Sequence, residues 1–260
     1  MSETKSFEEL FLSQIVEENI KVKHFKILVL SNINSNHLYL FKLKEWQNKQ
    51  NIYFDYLFFL GNFLEYSDKD KNNIKEIAND EAQTGGLISY LENLCLNIVY
   101  IGGNNDTVTL FEKPFPSLTV KSINIHQSFF KLSDDLYVIG YGGDVNNDNI
   151  LQLEEGFFSL NKYIEENDKN KNIQIILINN DNYYENKNKK MIYDKFFKNK
   201  PNIFLNLNGN EEEKQGTYEL FDTKIINPGS INQGNIGILD LERDINNNFW
   251  KVKKIDYLLI

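Results

Sequence analysis

The sequence predicts an α/β fold in which two mixed β-sheets stack face to face between outer helices, a four-layer αββα sandwich. In the first half of the chain, short apolar runs alternate with longer amphipathic or charged segments. This alternation is typical of a largely parallel sheet with helical crossovers. In the second half, apolar runs follow one another at shorter intervals, which indicates additional strands and antiparallel pairs.

The first half contains three predicted strands and two predicted helices. The strands are 26–30, 56–60 and 97–101. The first helix carries the apolar residues Leu38, Leu40, Phe41, Leu43 and Trp46. The second begins within the charged stretch 65–82 and continues through 87–96. Because parallel strands end at one edge of a sheet, we expect the loops that follow them to meet there.

The second half is predicted to be richer in strands. A hairpin is expected from 128–131 and 136–140, around Ser133-Asp134-Asp135. A helix is predicted over 151–164, and a charged helix near 189–198 lies between the buried strands 173–178 and 203–207. A closing antiparallel set is predicted from 218–221, 224–226, 236–241 and 249–257.

An amphipathic pattern precedes the first strand. Apolar residues recur there at helical spacing, opposite a face of glutamates: Phe7, Leu10, Phe11, Ile15 and Val16. We therefore predict a helical extension over residues 1–22 and, since no Pro- or Gly/Ser-rich linker divides the rest, a single domain over residues 23–260. The apolar stripe either packs on the domain or faces a partner protein, with Phe7, Leu10 and Phe11 as the candidate anchors.

The overall composition excludes several functional classes. The net charge of −9 disfavours electrostatic attraction to nucleic acid or to an anionic membrane. The single cysteine, Cys95, cannot form an internal disulfide, and no apolar signal segment is seen. No apolar run is long enough to span a bilayer. The prediction is a soluble protein without membrane insertion, in the cytoplasm or another reducing intracellular compartment, a cytoskeletal assembly included.

Loops rich in asparagine follow the predicted strands. They are Ser31-Asn32-Ile33-Asn34, Gly61-Asn62, Gly103-Asn104-Asn105-Asp106, Asn179-Asn180, Gly209-Asn210-Glu211-Glu212 and Asn227-Pro228-Gly229-Ser230. Together these stretches resemble the calcineurin-like metallophosphoesterases, whose pattern reads D-x-H, G-D, G-N-H-[DE], H and G-H-x-H. The resemblance covers roughly residues 25–258 and implies the αββα sandwich and a two-metal phosphoesterase scaffold.

Carried over position by position, the resemblance implies a metal site in which most ligands are replaced. The vestigial metal-site positions are Asn32, Asn34, Asn62, Asn104, Asn105, either Asn179 or Asn180, Asn210 and Glu212. Asn62 stands at the position of the metal-bridging aspartate and Asn105 at that of the catalytic histidine, whereas Asn104 matches the family's own asparagine. The chain contains 38 asparagines, so codon drift in an A+T-rich genome accounts for surface runs such as 246–248. Drift accounts less well for asparagines that coincide with ligand positions.

The chemistry of these side chains predicts no catalytic residue, no cofactor and no metal pair. Two divalent cations need carboxylates and imidazoles around them, whereas an amide is neutral and cannot act as a general acid near neutral pH. The candidate weak ligands are Asn104, Asp106 and Glu212, joined by Asp144 if its loop approaches. This set would suit a single weakly held Mg²⁺ or Ca²⁺ at most. The three histidines, His24, His37 and His126, are predicted to lie outside the site, although His37, which opens the helix after the first loop, is near enough to be recruited.

The sequence therefore favours a catalytically inactive, metallophosphoesterase-like protein that acts as a structural or protein-interaction subunit of a larger complex. The family offers a precedent in a retromer subunit that uses this fold as an interaction scaffold. Two alternatives stay open. One is a residual metal-dependent phosphohydrolase or phosphodiesterase built on Asp106 and Glu212. The other is a sensor that binds phosphate or a nucleotide through asparagine amides acting as donors.

Overall fold

The structure is a computed structural model, and it contains two six-stranded mixed sheets with helices on their outer faces. It describes residues 24–67, 70, 72–112, 121–143, 158, 162–163, 165–166, 173–180, 187–200, 202–209, 215–244 and 249–260. The strands are β1 His24–Leu30, β2 Tyr56–Phe59, β3 Ile98–Tyr100, β4 Ser122–Asn124, β5 Ser128–Ser133, β6 Leu136–Tyr141, β7 Gln174–Asn179, β8 Ile203–Asn208, β9 Gly216–Leu220, β10 Thr223–Asn227, β11 Asn235–Arg243 and β12 Trp250–Leu259. The helices are α1 Leu38–Gln50, α2 Ile74–Leu94, α3 Thr109–Glu112 and α4 Lys187–Asn199, with a 3₁₀ turn at Ile231–Gln233.

Each sheet combines a run of parallel strands with antiparallel strands, which lie at one edge of the first sheet and at both edges of the second. The first sheet has the order β12-β11-β1-β2-β3-β4, with β1 to β4 parallel and β11 and β12 antiparallel at one edge. The second has the order β5-β6-β7-β8-β10-β9, with β5 and β9 as antiparallel edge strands. The carboxyl ends of the parallel strands therefore meet at one edge of each sheet, where ligand sites of α/β proteins are usually found.

Three layers of apolar side chains separate the four layers of backbone. Between the first sheet and α1 and α2 lie Leu28, Leu30, Leu57, Leu40, Leu43, Leu87 and Leu91. Between the two sheets lie Ile27, Val29, Phe58, Leu60, Val138, Ile176, Ile178 and Leu205. Between the second sheet and α4 lie Ile139, Ile175, Leu177, Tyr193, Phe196 and Phe197. Alternate residues of β1 and β7 thus serve two different layers, which is why the central parts of these strands are continuously apolar.

The predicted αββα sandwich is confirmed, and the hairpin around 133–135 is the antiparallel pair β5–β6. The closing antiparallel set differs from the prediction, since its strands belong to two sheets. β9 and β10 join the second sheet through β8, whereas β11 and β12 join the first sheet through β1. β4 has only three residues and was not predicted.

Several predictions concern segments that the structure does not describe. The extension over residues 1–22, with Phe7, Leu10 and Phe11, lies outside the described residues, as does most of the helix predicted over 151–164. Within the described part of the chain, no helix combines the length and the apolar character needed to cross a membrane.

Candidate functional site at the strand ends

The loops that follow the parallel strands are held together by main-chain hydrogen bonds. The N–H of Asn32 donates to the carbonyl of Gly61 over 3.0 Å, and that of Asn34 donates to the carbonyl of Asn62 over 3.1 Å. The two sheets meet where the N–H of Gly143 donates to the carbonyl of Gly102 over 3.1 Å. The strand-end loops of both sheets thus form one polar site, as the parallel topology predicts.

Asn62 and Asn32 form the centre of this site, an amide pair. The Nδ2 group of Asn62 donates to Oδ1 of Asn32 over 2.8 Å. On one side, Oδ1 of Asn62 accepts the main-chain N–H of Asn105 over 3.2 Å. On the other side, Nδ2 of Asn32 donates to the carbonyl of Gly209 over 2.7 Å. This chain of hydrogen bonds starts at a main-chain donor and finishes at a main-chain acceptor. The positions of the oxygen and the nitrogen in both side-chain amides are therefore determined.

Asp106 joins the loop after β3 to the loop after β2. Its carboxylate is fully buried and accepts three main-chain N–H groups. These belong to Gly103 at 2.7 Å, Leu64 at 2.9 Å and Asn62 at 3.0 Å. Both carboxylate oxygens are used in these bonds, and hydrogen bonds to an ionised acceptor are among the stronger ones in proteins. Asp106 is therefore an internal clamp for the backbone of the site.

The backbone of the site explains part of its amino-acid content. Asn32, Asn34 and Asn62 have positive φ angles of 56°, 50° and 62°. Asparagine and aspartate are the non-glycine residues that tolerate this left-handed region best. At Gly103, an added Cβ would lie 2.1 Å from Oδ1 of Asn62, so only glycine fits. The conformation would admit aspartate at Asn32 or Asn62, but the direction of the hydrogen bonds requires an amide.

Asn179 and Asn180 follow one another at the end of β7 and point to opposite sides of the second sheet. Nδ2 of Asn180 donates to the carbonyl of Leu60 over 2.6 Å, which places this side chain between the sheets and beside the amide pair. Nδ2 of Asn179 donates to the hydroxyl of Tyr193 on α4, in the outer layer. Of the two alternatives left by the sequence, Asn180 is the residue adjacent to the other loops.

Several side-chain amides of the site donate hydrogen bonds to the protein, whereas two amide oxygens have no partner. The Nδ2 groups of Asn32, Asn62 and Asn180 all donate to oxygen atoms of the protein. In contrast, Oδ1 of Asn180 and Oδ1 of Asn104 are buried and have no hydrogen-bond partner among the described residues. These two unpaired atoms are acceptors, and an acceptor is unsuited to an anion such as phosphate.

The remaining predicted residues are placed as follows. Asn104 and Asn105 form the half-buried turn after β3, and Asn34 lies half-buried in the loop after β1. Asn210, Glu212 and Asp144 lie outside the described residues. Nε2 of His24 lies 3.6 Å from Oδ1 of Asp240. The exposed ring of His37 stacks on the ring of Tyr90, with the ring centroids 5.8 Å apart.

His126 is closer to the strand ends than the sequence indicated. It follows β4, and its Nδ1 accepts the N–H of Gly142 over 3.1 Å. Its ring contacts the rings of Phe111 and Tyr141. Burial lowers the pKa of His126 from its ordinary value of 6.5 to about 4, so the ring is neutral at physiological pH. The position was missed because β4 is too short to give a periodic signal.

Two serines that support the amide pair were also missed. The hydroxyl of Ser31 donates to the carbonyl of Gly229 over 2.8 Å, and that of Ser230 donates to the carbonyl of Asn32 over 3.2 Å. Ser230 belongs to the Asn-Pro-Gly-Ser stretch that the sequence did single out. Its role in holding the loop after β1 could not be read from the stretch alone.

The described residues of the site do not fit a pair of divalent cations. The positions at the centre are neutral amides that hydrogen-bond to each other, and the carboxylate of Asp106 is occupied by three N–H groups. Among the described residues, no three His, Cys, Asp or Glu side chains form a group that could hold a metal ion. Such an arrangement offers no bridging negative charge to offset the repulsion between two cations.

Comparison with known proteins identifies the fold. No protein-family model matches the sequence, and no match was found among curated proteins. Solved structures do match. TT1561 of Thermus thermophilus has a TM-score of 0.59 and 16% sequence identity, over 88% of this chain and 98% of that one. A dimetal phosphatase from Danio rerio has a TM-score of 0.56 and 8% identity, over 90% and 98% of the two chains.

A third structure is that of GAP50, described as the anchor in the inner membrane complex of Plasmodium. It has a TM-score of 0.54 and 12% identity, over 92% of this chain and 89% of that one. Identities this low show the fold alone. The chain has the fold of the calcineurin-like phosphoesterases.

Proposed function

We propose that this chain is a pseudoenzyme of the phosphoesterase fold, which does not hydrolyse phosphate esters and serves as a structural or protein-interaction subunit of a larger assembly. The observation that carries the proposal is the amide pair Asn62–Asn32, whose hydrogen bonds run from the N–H of Asn105 to the carbonyl of Gly209. The strand-end loops are tied to one another directly by these bonds. A bridging metal ion is not needed to hold them together.

The direction of the amide hydrogen bonds argues against simple loss of charge by drift. An aspartate at Asn62 would place a carboxylate oxygen 2.8 Å from Oδ1 of Asn32, where the amide now donates. An aspartate at Asn32 would place an oxygen 2.7 Å from the carbonyl of Gly209. Two acceptors at these distances repel each other, so both asparagines have a structural role of their own.

The two alternative functions find less support in the same contacts. A residual hydrolase would use the carboxylate of Asp106, but that group is fully buried and bonded to three N–H groups. A phosphate sensor would use amide donors, but those of Asn32, Asn62 and Asn180 are already bonded to protein oxygens. The fold is compatible with either kind of role, since its solved examples include a dimetal phosphatase and an anchor of a membrane complex.

The proposal is tested by measuring hydrolysis and metal retention on the same purified protein. We expect no release of nitrophenol above the buffer rate from p-nitrophenyl phosphate or bis-p-nitrophenyl phosphate, with Mn²⁺, Mg²⁺ or Zn²⁺ added. After dialysis, elemental analysis should find less than about one transition-metal ion per chain, since the site lacks a ligand set for a pair. Chelator-sensitive turnover, or two retained metal ions per chain, would contradict the proposal.

The sensor alternative is separated by a thermal shift measurement. Inorganic phosphate, AMP and ATP at millimolar concentration should leave the Tm unchanged, because a ligand raises the Tm only when it binds the folded state. A saturable rise in Tm that is lost in an Asn180→Leu variant would favour the sensor instead.

A further inference from the structure

A second concave surface lies at the opposite end of the sandwich, at the amino ends of the parallel strands. It is a groove of about 770 Å³ formed by the starts of β1 and β2 and the carboxyl-terminal ends of α1 and α2. Its apolar lining includes Phe25, Ile52, Tyr53, Phe54, Leu94 and Leu96. A groove of this size can accommodate several large side chains or a small ligand.

The groove leaves large apolar side chains exposed to solvent. Tyr53 is 79% exposed and Leu96 is 64% exposed, whereas Phe54 and Leu94 at the same site are buried. Exposed apolar residues beside a concave, partly apolar surface are typical of a docking site. Within the described part of the chain, neither Tyr53 nor Leu96 is covered.

The start of β1 brings a candidate occupant to this groove. His24, the first residue of β1, lines the groove, so the chain that precedes it enters at the groove's edge. Seven residues, 17–23, separate the apolar stripe of residues 7–16 from His24. The stretch Lys21-Val22-Lys23 spans at most about 10 Å, and a helix over residues 7–20 would be about 21 Å long. This short stretch, the tether, therefore keeps the apolar stripe close to the groove.

Charge favours only the lysine-bearing end of this segment, since residues 1–22 contain five glutamates and two lysines. The carboxyl-terminal ends of α1 and α2 meet at the groove and carry the partial negative charge of a helix C-terminus. Asp55 and Glu92 also line the groove, and Lys44, which lines it too, already donates to the carbonyl of Asn93. Lys21 and Lys23 lie in the tether that enters there. Cations near two helix C-termini are stabilised by them.

We propose that residues 1–22 dock in cis on this groove as an amphipathic helix, with the apolar stripe against Tyr53 and Leu96 and the glutamates toward solvent. Of the two roles that the sequence allows for the stripe, the groove favours packing on the domain. Phe7, Leu10 and Phe11 then contact the chain's own surface. A tethered segment has an effective concentration on the order of millimolar, which gives it an advantage over a free partner.

Hydrogen–deuterium exchange on the full chain tests this docking. In the double variant Leu10→Asp/Phe11→Asp, amides of residues 51–56 and 92–97 should exchange at least about tenfold faster than in the wild type. The matched control Glu8→Gln/Glu9→Gln changes the opposite face of the same helix and should leave these rates unchanged. Exchange in β1 and β11 reports whether the domain remains folded.

A second variant changes the groove and leaves residues 1–22 intact, so its result does not depend on how well that segment forms a helix by itself. Leu96→Glu changes an exposed residue, so the domain should keep its fold, while exchange over residues 7–20 should rise at least about tenfold. The proposal fails if residues 7–20 of the wild type exchange at the rate of an unfolded peptide. It also fails if their protection depends on protein concentration, which would identify a second copy as the occupant, or appears only when another protein is added.

Discussion

The two ends of the sandwich have opposite character. At the carboxyl ends of the strands, the amide pair Asn62–Asn32 and the clamp Asp106 bond the loops to one another, and an added Cβ at Gly103 would have no room. At the amino ends, the groove is open and leaves Tyr53 and Leu96 exposed. The closed end is polar and internally bonded, whereas the open end is partly apolar and faces solvent.

The two ends of the strands differ in how their side chains are used. In open α/β sheets the carboxyl ends of the strands usually hold the ligand. Here the described loops at that end are bonded to one another through Asn32, Asn62 and Asp106. The exposed side chains of Tyr53 and Leu96 lie at the other end of the same strands.

The most severe change to the closed end is Gly103→Ala. The new Cβ would lie 2.1 Å from Oδ1 and 2.3 Å from the main-chain N of Asn62, so the loops must separate. We expect the free energy of unfolding to fall by about 4 kcal/mol, measured by urea denaturation. The control is Gly86→Ala in α2, where an added Cβ meets nothing within 4 Å. This control should gain up to about 1 kcal/mol, and equal losses in both variants would contradict the close packing of the loops.

The second prediction concerns charge within the amide pair. Asn62→Asp removes the donor to Asn32 and places two acceptors 2.8 Å apart in a buried site. We expect a loss of about 3 kcal/mol at pH 7, because a buried acceptor without a donor and an uncompensated charge are both unfavourable. The loss should decrease at lower pH, since a protonated carboxyl can donate as the amide does.

An exposed amide pair provides the matched control for this change. Nδ2 of Asn36 donates to Oδ1 of Asn232 over 2.7 Å, a contact of the same kind on the surface. Asn36→Asp should cost less than about 1 kcal/mol, because water can solvate the new carboxylate. Similar losses at Asn62 and Asn36 would show that the buried pair has no special role.

The third prediction uses the pH dependence of His126. Its pKa is lowered by burial to about 4, so the unfolded chain binds a proton more readily than the folded chain between that value and 6.5. The contribution of His126 to the free energy of unfolding is therefore fully present above pH 6.5 and decreases as the pH falls toward 4. Between pH 7 and pH 5 the loss should be about 2 kcal/mol.

Urea denaturation of His126→Gln over the same pH range checks this prediction. The variant should show a flatter dependence of the free energy of unfolding on pH than the wild type does. An unchanged slope in His126→Gln would mean that the ring is not held neutral by its buried surroundings.

Much of the fold could be predicted because its central strands are buried on both faces. β1, β2, β7 and β8 consist mainly of apolar residues, and each is followed by a helix or a polar loop. The same property hid one detail of the site. With both faces apolar, the sequence could not show which of Asn179 and Asn180 points between the sheets, whereas the structure places Asn180 there.

The pattern of residues along the chain determined the four layers, the meeting of the strand-end loops and the near absence of charged ligands from those loops. The layers follow from the apolar periodicity, the meeting of the loops from the parallel strands, and the scarcity of charged ligands from the residue types in those loops. Only the tertiary structure decided that the asparagines bond to one another and that the open surface lies at the opposite end. Hydrogen-bond direction depends on groups far apart in sequence, such as Asn32 and Gly209, and no local pattern encodes it.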